Sequence, residues 1–415
     1  MTARVARPAP IALDDLAAPV YPEAARPMRE GLAAYGAALD LSPEALQATA
    51  VDRSGLTDFG DLGFRDRLQV LCASLNSEAS LSDVGRALAF EQLAQHLVNR
   101  LRLQDLITRN PEILDVRIER PIIICGLPRT GTTHLHNMIA ADPAIRYLPY
   151  WESLEPVPPP GEGPQGRRER CAAGLELVHT VMPEFRRMHD MTVDHAHEEI
   201  QLLANDIGGM LFETTFHVPR FADHYKAHDQ SPSYAHLRRT LQALQWQGGG
   251  TRWVLKSPQH LEQFPTLAAT FPDATFVLTH RDPTEVIQSM ATMICYAARM
   301  SCERPDPVAL TRYWVERSAD LLTACVRDRD ALPAERSVDI RFDDFMADEE
   351  ATLALIYERA GQPFDDRARG AMARFRADHP RGMHGGVLHR PADLGLDVDE
   401  VARRLGDYRR RFVAA

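Results

Sequence analysis

Residues Arg120–Ala141, RPIIICGLPRTGTTHLHNMIAA, constrain the fold more than any other stretch of the chain. Ile122-Ile123-Ile124-Cys125 is a short apolar run, rich in β-branched residues, with no polar residue alternating. That pattern predicts a strand buried on both faces. Gly126 closes the strand and Leu127–Thr130 form a tight loop. Gly131-Thr132-Thr133 then open a helix whose apolar side carries Leu135, Met138, Ile139 and Ala140. Strand, glycine loop and helix N-terminus, in that order, cradle a phosphate. The loop turns N–H groups inward, and the helix dipole favours an anion there.

Strand and helix signals alternate again further on. Trp253-Val254-Leu255 reads as a strand ending in Lys256-Ser257-Pro258-Gln259-His260, and Ala274–Thr279 as another ending in His280-Arg281-Asp282. Asp282-Pro283-Thr284-Glu285 starts a helix, with an Asp cap, proline at the first position and Glu at the third. Ser337–Phe342 is a further predicted strand and Glu349–Ala360 a helix. This order implies an α/β fold with a parallel sheet and right-handed crossovers. Sites in such sheets lie at the strand C-terminal ends. Arg129, Lys256 and Arg281 each follow a predicted strand, so one crevice can hold all three cations, and together they favour a polyanionic ligand.

Before the loop, residues 1–40 carry five prolines and read as irregular. Ser42-Pro43 and Asn110-Pro111 each read as an N-cap with proline at the first helical position. Phe64–Leu106 has a long apolar periodicity. Residues 1–117 are therefore an N-terminal helical extension and 118–415 an α/β domain. Within the latter, 144–250 is a helical insertion expected to build an acceptor pocket, with proline-rich Val157–Gly166 as a flexible cover. Residues 261–272 read as a helix broken at Pro265.

Composition excludes some classes. The 415 residues carry a net charge of −11, which argues against a broad nucleic-acid surface. Six scattered cysteines without a C-x-x-C pair imply reduced thiols, not a disulfide frame or zinc site. The N-terminus has basic residues but no apolar signal core, and no stretch approaches a membrane span. A cytoplasmic protein is expected, and an oligomer is allowed.

The spacing Gly126-x4-Gly131 imitates a nucleotide-triphosphate P-loop, but Thr132 stands where its Lys belongs and the cation has moved to Arg129. PRTGTT resembles the 5′-phosphosulfate loop of sulfotransferases that use 3′-phosphoadenosine 5′-phosphosulfate (PAPS). FVLTHRDPTEVIQSM resembles that family's 3′-phosphate segment, with Arg281 after a strand and Ser289 about two helical turns into the next helix. The resemblance runs over residues 118–412 and points to the bacterial branch. It implies a P-loop-NTPase-like central parallel sheet flanked by helices. It also implies PAPS as co-substrate, no required metal, and in-line sulfuryl transfer to a hydroxyl or amine of a small molecule. By the same resemblance Arg129, Thr130, Gly131, Thr132 and Thr133 hold the 5′-phosphosulfate, and His134 lies at the adenine. Arg281 and Ser289 hold the 3′-phosphate, and Lys256 contacts the sulfuryl group. Phe342 resembles an aromatic beside the adenine, and Pro380–Gly386 a loop closing over the nucleotide.

The base that takes the acceptor proton stays open. Cytosolic members use a His two residues after the strand-end Lys, where this chain has Pro258. His260, Glu152 and the pair Glu198/Glu199 are the candidates. Tyr150, Trp151, Phe212, Phe216 and Tyr225 point weakly to an apolar acceptor. Two other readings stand beside this one. A P-loop kinase or nucleotide hydrolase would need the missing Lys and a metal-binding Asp, for which Asp339 and Asp343 are candidates. A catalytically inactive nucleotide-binding protein on the same fold would not need the retained Arg129, Lys256, Arg281 and Ser289.

Overall fold

The computed structural model describes residues 8–414. At its centre are four parallel strands, β1 (Ile122–Cys125), β2 (Val254–Lys256), β3 (Thr275–His280) and β4 (Ser337–Arg341), in the order β2-β1-β3-β4. Lys256 lies opposite Ile124, Leu278 opposite Cys125, and Arg341 opposite His280. The ends of β1 and β3 are therefore neighbours, with the end of β2 on the other side of β1.

Every residue of β1, β2 and β3 is buried, as a parallel sheet covered on both faces requires. Successive side chains go to opposite faces. Ile122 and Ile124 pack with Leu135, Met138 and Ile139 of the helix Thr132–Ala140 and with Leu353 and Ile356 of the helix Glu349–Ala360. Ile123 and Cys125 join a larger core on the other face, shared with Leu46, Phe64, Leu68, Leu93 and Leu97. The N-terminal helices Pro43–Ser54, Phe64–Ser77 and Asp83–Arg109 thus bury their apolar sides in the same core as the sheet.

Several local expectations change. The irregular reading of 1–40 covers residues 1–7, which lie outside the described residues, and elsewhere Arg26–Gly36 is helical with Pro27 in its first turn, where its missing N–H costs nothing. Ser42 does cap its helix, accepting from the Ala45 N–H at 3.2 Å. Asn110 does not: it ends the long helix and leads into a 3₁₀ turn, Pro111–Asp115, with no side-chain cap. Pro265 does not break a helix but starts one, Phe264–Thr270, after a separate 3₁₀ turn, Pro258–Glu262. Val157–Gly166 is irregular only up to Gly163, after which Pro164–Val181 is helical. No helix among the described residues is long and apolar enough to cross a membrane.

Ile123 is fully buried in the central strand. Ile123→Ala should lower unfolding stability by about 2–5 kcal/mol, read as a shifted denaturant midpoint. A shift too small to measure would contradict the central packing of β1.

Candidate active site

The loop after β1 is held by a tight approach to β3. The Thr130 hydroxyl donates to the Leu127 carbonyl at 2.7 Å, and the Thr279 hydroxyl lies 2.7 Å from it on the other side. A Cβ on Gly126 would come within 2.1 Å of Thr279 Oγ1, so only glycine lets the strands close there. Gly131 has φ +88° and lies against the Phe342 ring, 3.1 Å from where a Cβ would be. Beyond it the helix Thr132–Ala140 begins, and its first-turn N–H groups have no carbonyl within the helix to bind.

Arg129 also has positive φ, +73°, a conformation that costs a non-glycine residue about 1–3 kcal/mol unless its surroundings fix it. They do. Its Nε donates to Ser289 Oγ at 3.0 Å, and Nη1 donates to the Met188 carbonyl. Arg281 reaches across from the end of β3 and donates to the Arg129 carbonyl at 3.0 Å, with its guanidinium 4.2 Å from the centre of the Phe342 ring. Burial, and then the Arg281 charge, lower the Arg129 guanidinium from its ordinary value. Arg281 has a half-exposed pairing with Glu285, 2.7 Å, of the weak surface kind. No carboxylate pairs with Arg129 among the described residues.

Arg129, Gly131, Arg281 and Phe342 line a cavity of about 630 Å³ together with Thr132, Thr133 and His134. Met188, His189 and His195 of the insertion form another wall. Burial, followed by the Lys256 charge, pushes the His189 imidazole down to about 3, so it is neutral at physiological pH. His134 Nε2 is 3.0 Å from Glu349 Oε1, and its ring is 5.7 Å from that of Phe345. Arg381 and His379 reach the same cavity from the C-terminal region. A second cavity of about 850 Å³ opens along the β4 side, but its Arg329 and Arg411 are already paired with Asp339 (2.7 Å) and Asp330 (2.6 Å).

Lys256 is buried, 3% exposed, and does not line the 630 Å³ cavity. Its ammonium binds the Glu198 carboxylate. Its own N–H donates to Glu199 Oε2 at 2.7 Å. The base candidates therefore fall in very different places. His260 is fully buried, and both ring nitrogens are engaged, Nε2 with Glu199 Oε1 at 2.6 Å and Nδ1 with the Tyr234 hydroxyl at 2.8 Å. Glu152 pairs with Arg146 at 3.2 Å through both oxygens, and Arg146 stacks 4.4 Å from the Trp253 ring. Arg146 bridges to Trp253, at the N-terminal end of β2, so Glu152 is anchored at the end of the sheet away from the loop. Burial raises the Glu152 carboxyl, against the pull of Arg146. Glu198 alone of these candidates is both partly exposed and in contact with Lys256. Met188, His189 and Tyr234 carried no sequence signal of their own; His195 did, through the concentration of His195, His197, Glu198 and Glu199 in DHAHEEIQLL ahead of an apolar run.

The sequence pattern of the sulfotransferase family matches residues 121–366. This chain belongs to the sulfotransferase family. Sulfotransferase STF1 of Mycobacterium tuberculosis H37Rv is 31% identical, with 87% of this chain and 97% of that one covered at a TM-score of 0.76. STF9 of Mycobacterium avium is 24% identical, with 91% of this chain and 98% of that one covered at a TM-score of 0.78; at that identity the likeness is one of fold. No curated protein sequence matches. Sulfotransferase membership accounts for a P-loop-like sheet in which the loop cation is Arg129 and no Walker Lys follows.

Gly126→Ala tests the loop. The added methyl should cost about 1–3 kcal/mol of stability and abolish binding of inorganic pyrophosphate, measured by thermal shift and calorimetry. Unchanged pyrophosphate affinity would contradict the phosphate-cradle geometry.

Proposed function

We propose that this sulfotransferase moves the sulfuryl group of PAPS to a hydroxyl or amine of a small-molecule acceptor and releases adenosine 3′,5′-bisphosphate. The observation that carries the reading is Arg129. Among the described residues its guanidinium has no paired carboxylate; it is hydrogen-bonded to Ser289, and the Arg281 guanidinium binds its backbone carbonyl, at the mouth of a helix N-terminus. Two like charges lining one cavity favour an anion there, and a cavity of about 630 Å³ is roomy enough for a nucleotide-sized ligand.

In this reading the loop amides, with Thr130, Gly131, Thr132 and Thr133, receive the 5′-phosphosulfate. Arg281 and Ser289 receive the 3′-phosphate, and His134 flanks the adenine. Arg129 and Lys256 neutralise the charge that grows on the sulfuryl and bridging oxygens, the largest electrostatic demand of the reaction. Arg129 does so with a planar fork of donors. Lys256 reaches the sulfuryl group by exchanging its partner Glu198. Glu198, so released, takes the acceptor proton. The acceptor oxygen's lone pair forms the new O–S bond while the bond from sulfur to the bridging phosphate oxygen breaks, its electron pair leaving with adenosine 3′,5′-bisphosphate. The proton then passes to solvent. Glu198 is preferred to His260 and Glu152 because it combines exposure with contact to Lys256.

In magnesium-free buffer, adenosine 3′,5′-bisphosphate should bind more tightly than the 5′-monophosphate or ATP, and Arg281→Ala should weaken it by about 10- to 100-fold. Calorimetry checks both. Equal or better binding of ATP would instead favour a nucleotide kinase or hydrolase. Glu198→Gln should keep adenosine 3′,5′-bisphosphate affinity and lower turnover by about 10²- to 10⁴-fold; full turnover would remove Glu198 as the base.

A further inference from the structure

β2 is an edge strand, so the N–H groups on its outer side have no neighbouring strand to bind. Val254 solves this with the Arg146 carbonyl at 2.8 Å. Lys256 solves it with a side chain, the Glu199 carboxylate at 2.7 Å. Glu199 is itself fully buried, and its other oxygen binds His260 Nε2 at 2.6 Å. His260 Nδ1 in turn meets the Tyr234 hydroxyl at 2.8 Å, from the helix Ser231–Gly248.

The hydrogen positions follow from the acceptors. Glu199 accepts from the Lys256 N–H, and where the neutral imidazole of His260 donates to it through Nε2, Nδ1 is left to accept. Tyr234 then donates. Burial holds the Tyr234 phenol well above its ordinary value, so it keeps the proton this requires. The chain runs Tyr234 to His260 to Glu199, and ends on the backbone of the strand-end lysine.

A fully buried carboxylate is a costly partner for one backbone N–H, which a neutral carbonyl serves at Val254. The arrangement makes sense as a device for position. Glu198 is the next residue to Glu199. One carboxylate fixes the backbone of Lys256 while its neighbour touches the Lys256 ammonium. We infer that Tyr234, His260 and Glu199 form a buried positioning clamp that sets the geometry between Lys256 and Glu198 and touches neither donor nor acceptor. The inference rests on the sulfotransferase reading above for what Lys256 and Glu198 do.

The test uses the full-length protein and the variants Tyr234→Phe and His260→Gln. Tyr234→Phe deletes one hydroxyl and is the arm least prone to misfolding. His260→Gln keeps a donor toward Glu199. Release of adenosine 3′,5′-bisphosphate from PAPS is followed with a panel of simple phenols and aliphatic alcohols, and with water as the acceptor always present. Binding of adenosine 3′,5′-bisphosphate is titrated alongside. The clamp predicts kcat lowered about 10- to 100-fold in both variants, as a small misplacement of reacting groups does, with nucleotide affinity and the KM for PAPS within about twofold of wild type. It also predicts a low-field, slowly exchanging imidazole proton in the wild-type NMR spectrum. That proton should be lost in His260→Gln, shifted in Tyr234→Phe and unmoved by adenosine 3′,5′-bisphosphate.

Nucleotide affinity falling in step with kcat would overturn the clamp, as would unchanged kcat, an absent imidazole proton, or a proton that shifts with ligand. If kcat falls more than about 10³-fold in His260→Gln but barely in Tyr234→Phe, His260 is itself the base and the clamp is wrong. Failure of the wild type to bind adenosine 3′,5′-bisphosphate is a separate result. It would overturn the donor assignment and leave the imidazole proton as the readout of the clamp.

Discussion

Among the described residues the Arg129 guanidinium has no carboxylate partner and feels the charge of Arg281, an unfavourable arrangement that the rest of this molecule is built to hold. Arg129 takes a left-handed backbone conformation to reach its position. Ser289 and the Met188 carbonyl fix its fork of donors, and Arg281 grips its carbonyl. Those partners come from three parts of the chain: the helix after β3, the insertion, and the end of β3 itself. The parallel pairing of β1 with β3 brings the first and third to the loop that carries Arg129. The glycine at position 126 lets the loop close against Thr279. Relaxing any of these would leave the charge without its geometry, and the crevice would lose its held cation.

The sheet was legible in the sequence because buried parallel strands need unbroken apolar runs, and IIIC, WVL and ATFVLT have little else they can be. The loop and the start at Asp282 were legible because glycine, proline and capping residues act locally; Asp282 accepts from the Thr284 N–H at 2.9 Å as its position predicts. Asn110 shows the limit of that logic. A capping residue before proline fits a new helix or the end of an old one, and here the packing of the preceding long helix decides.

The groups around Lys256 were much less legible, and the reason is distance along the chain. Glu199 binds Lys256 and His260 from 57 and 61 residues away, and Tyr234 lies 26 residues from His260. Spacing after the strand-end lysine made His260 look free to act, when folding buries it and occupies both its nitrogens. Spacing after the loop made Glu152 look close, when Arg146 draws it to the N-terminal end of β2. Both cases share a cause. Sequence distance reports how far the chain has travelled and not which end of the sheet it has returned to. The adjacent pair Glu198 and Glu199 divides into two roles that no local pattern separates, one side chain facing the ammonium and the other the backbone of the same lysine.

The proposed nucleotide site, for two separated phosphates, is built on Arg129 and Arg281. The most direct measurement is a crystal structure of the protein with adenosine 3′,5′-bisphosphate bound. The account predicts the 5′-phosphate against the amides of Gly131–Thr133 and the 3′-phosphate in contact with both Arg281 and Ser289. A nucleotide bound in the reverse orientation, or in the cavity along β4 beside Arg336 and Arg411, would contradict it.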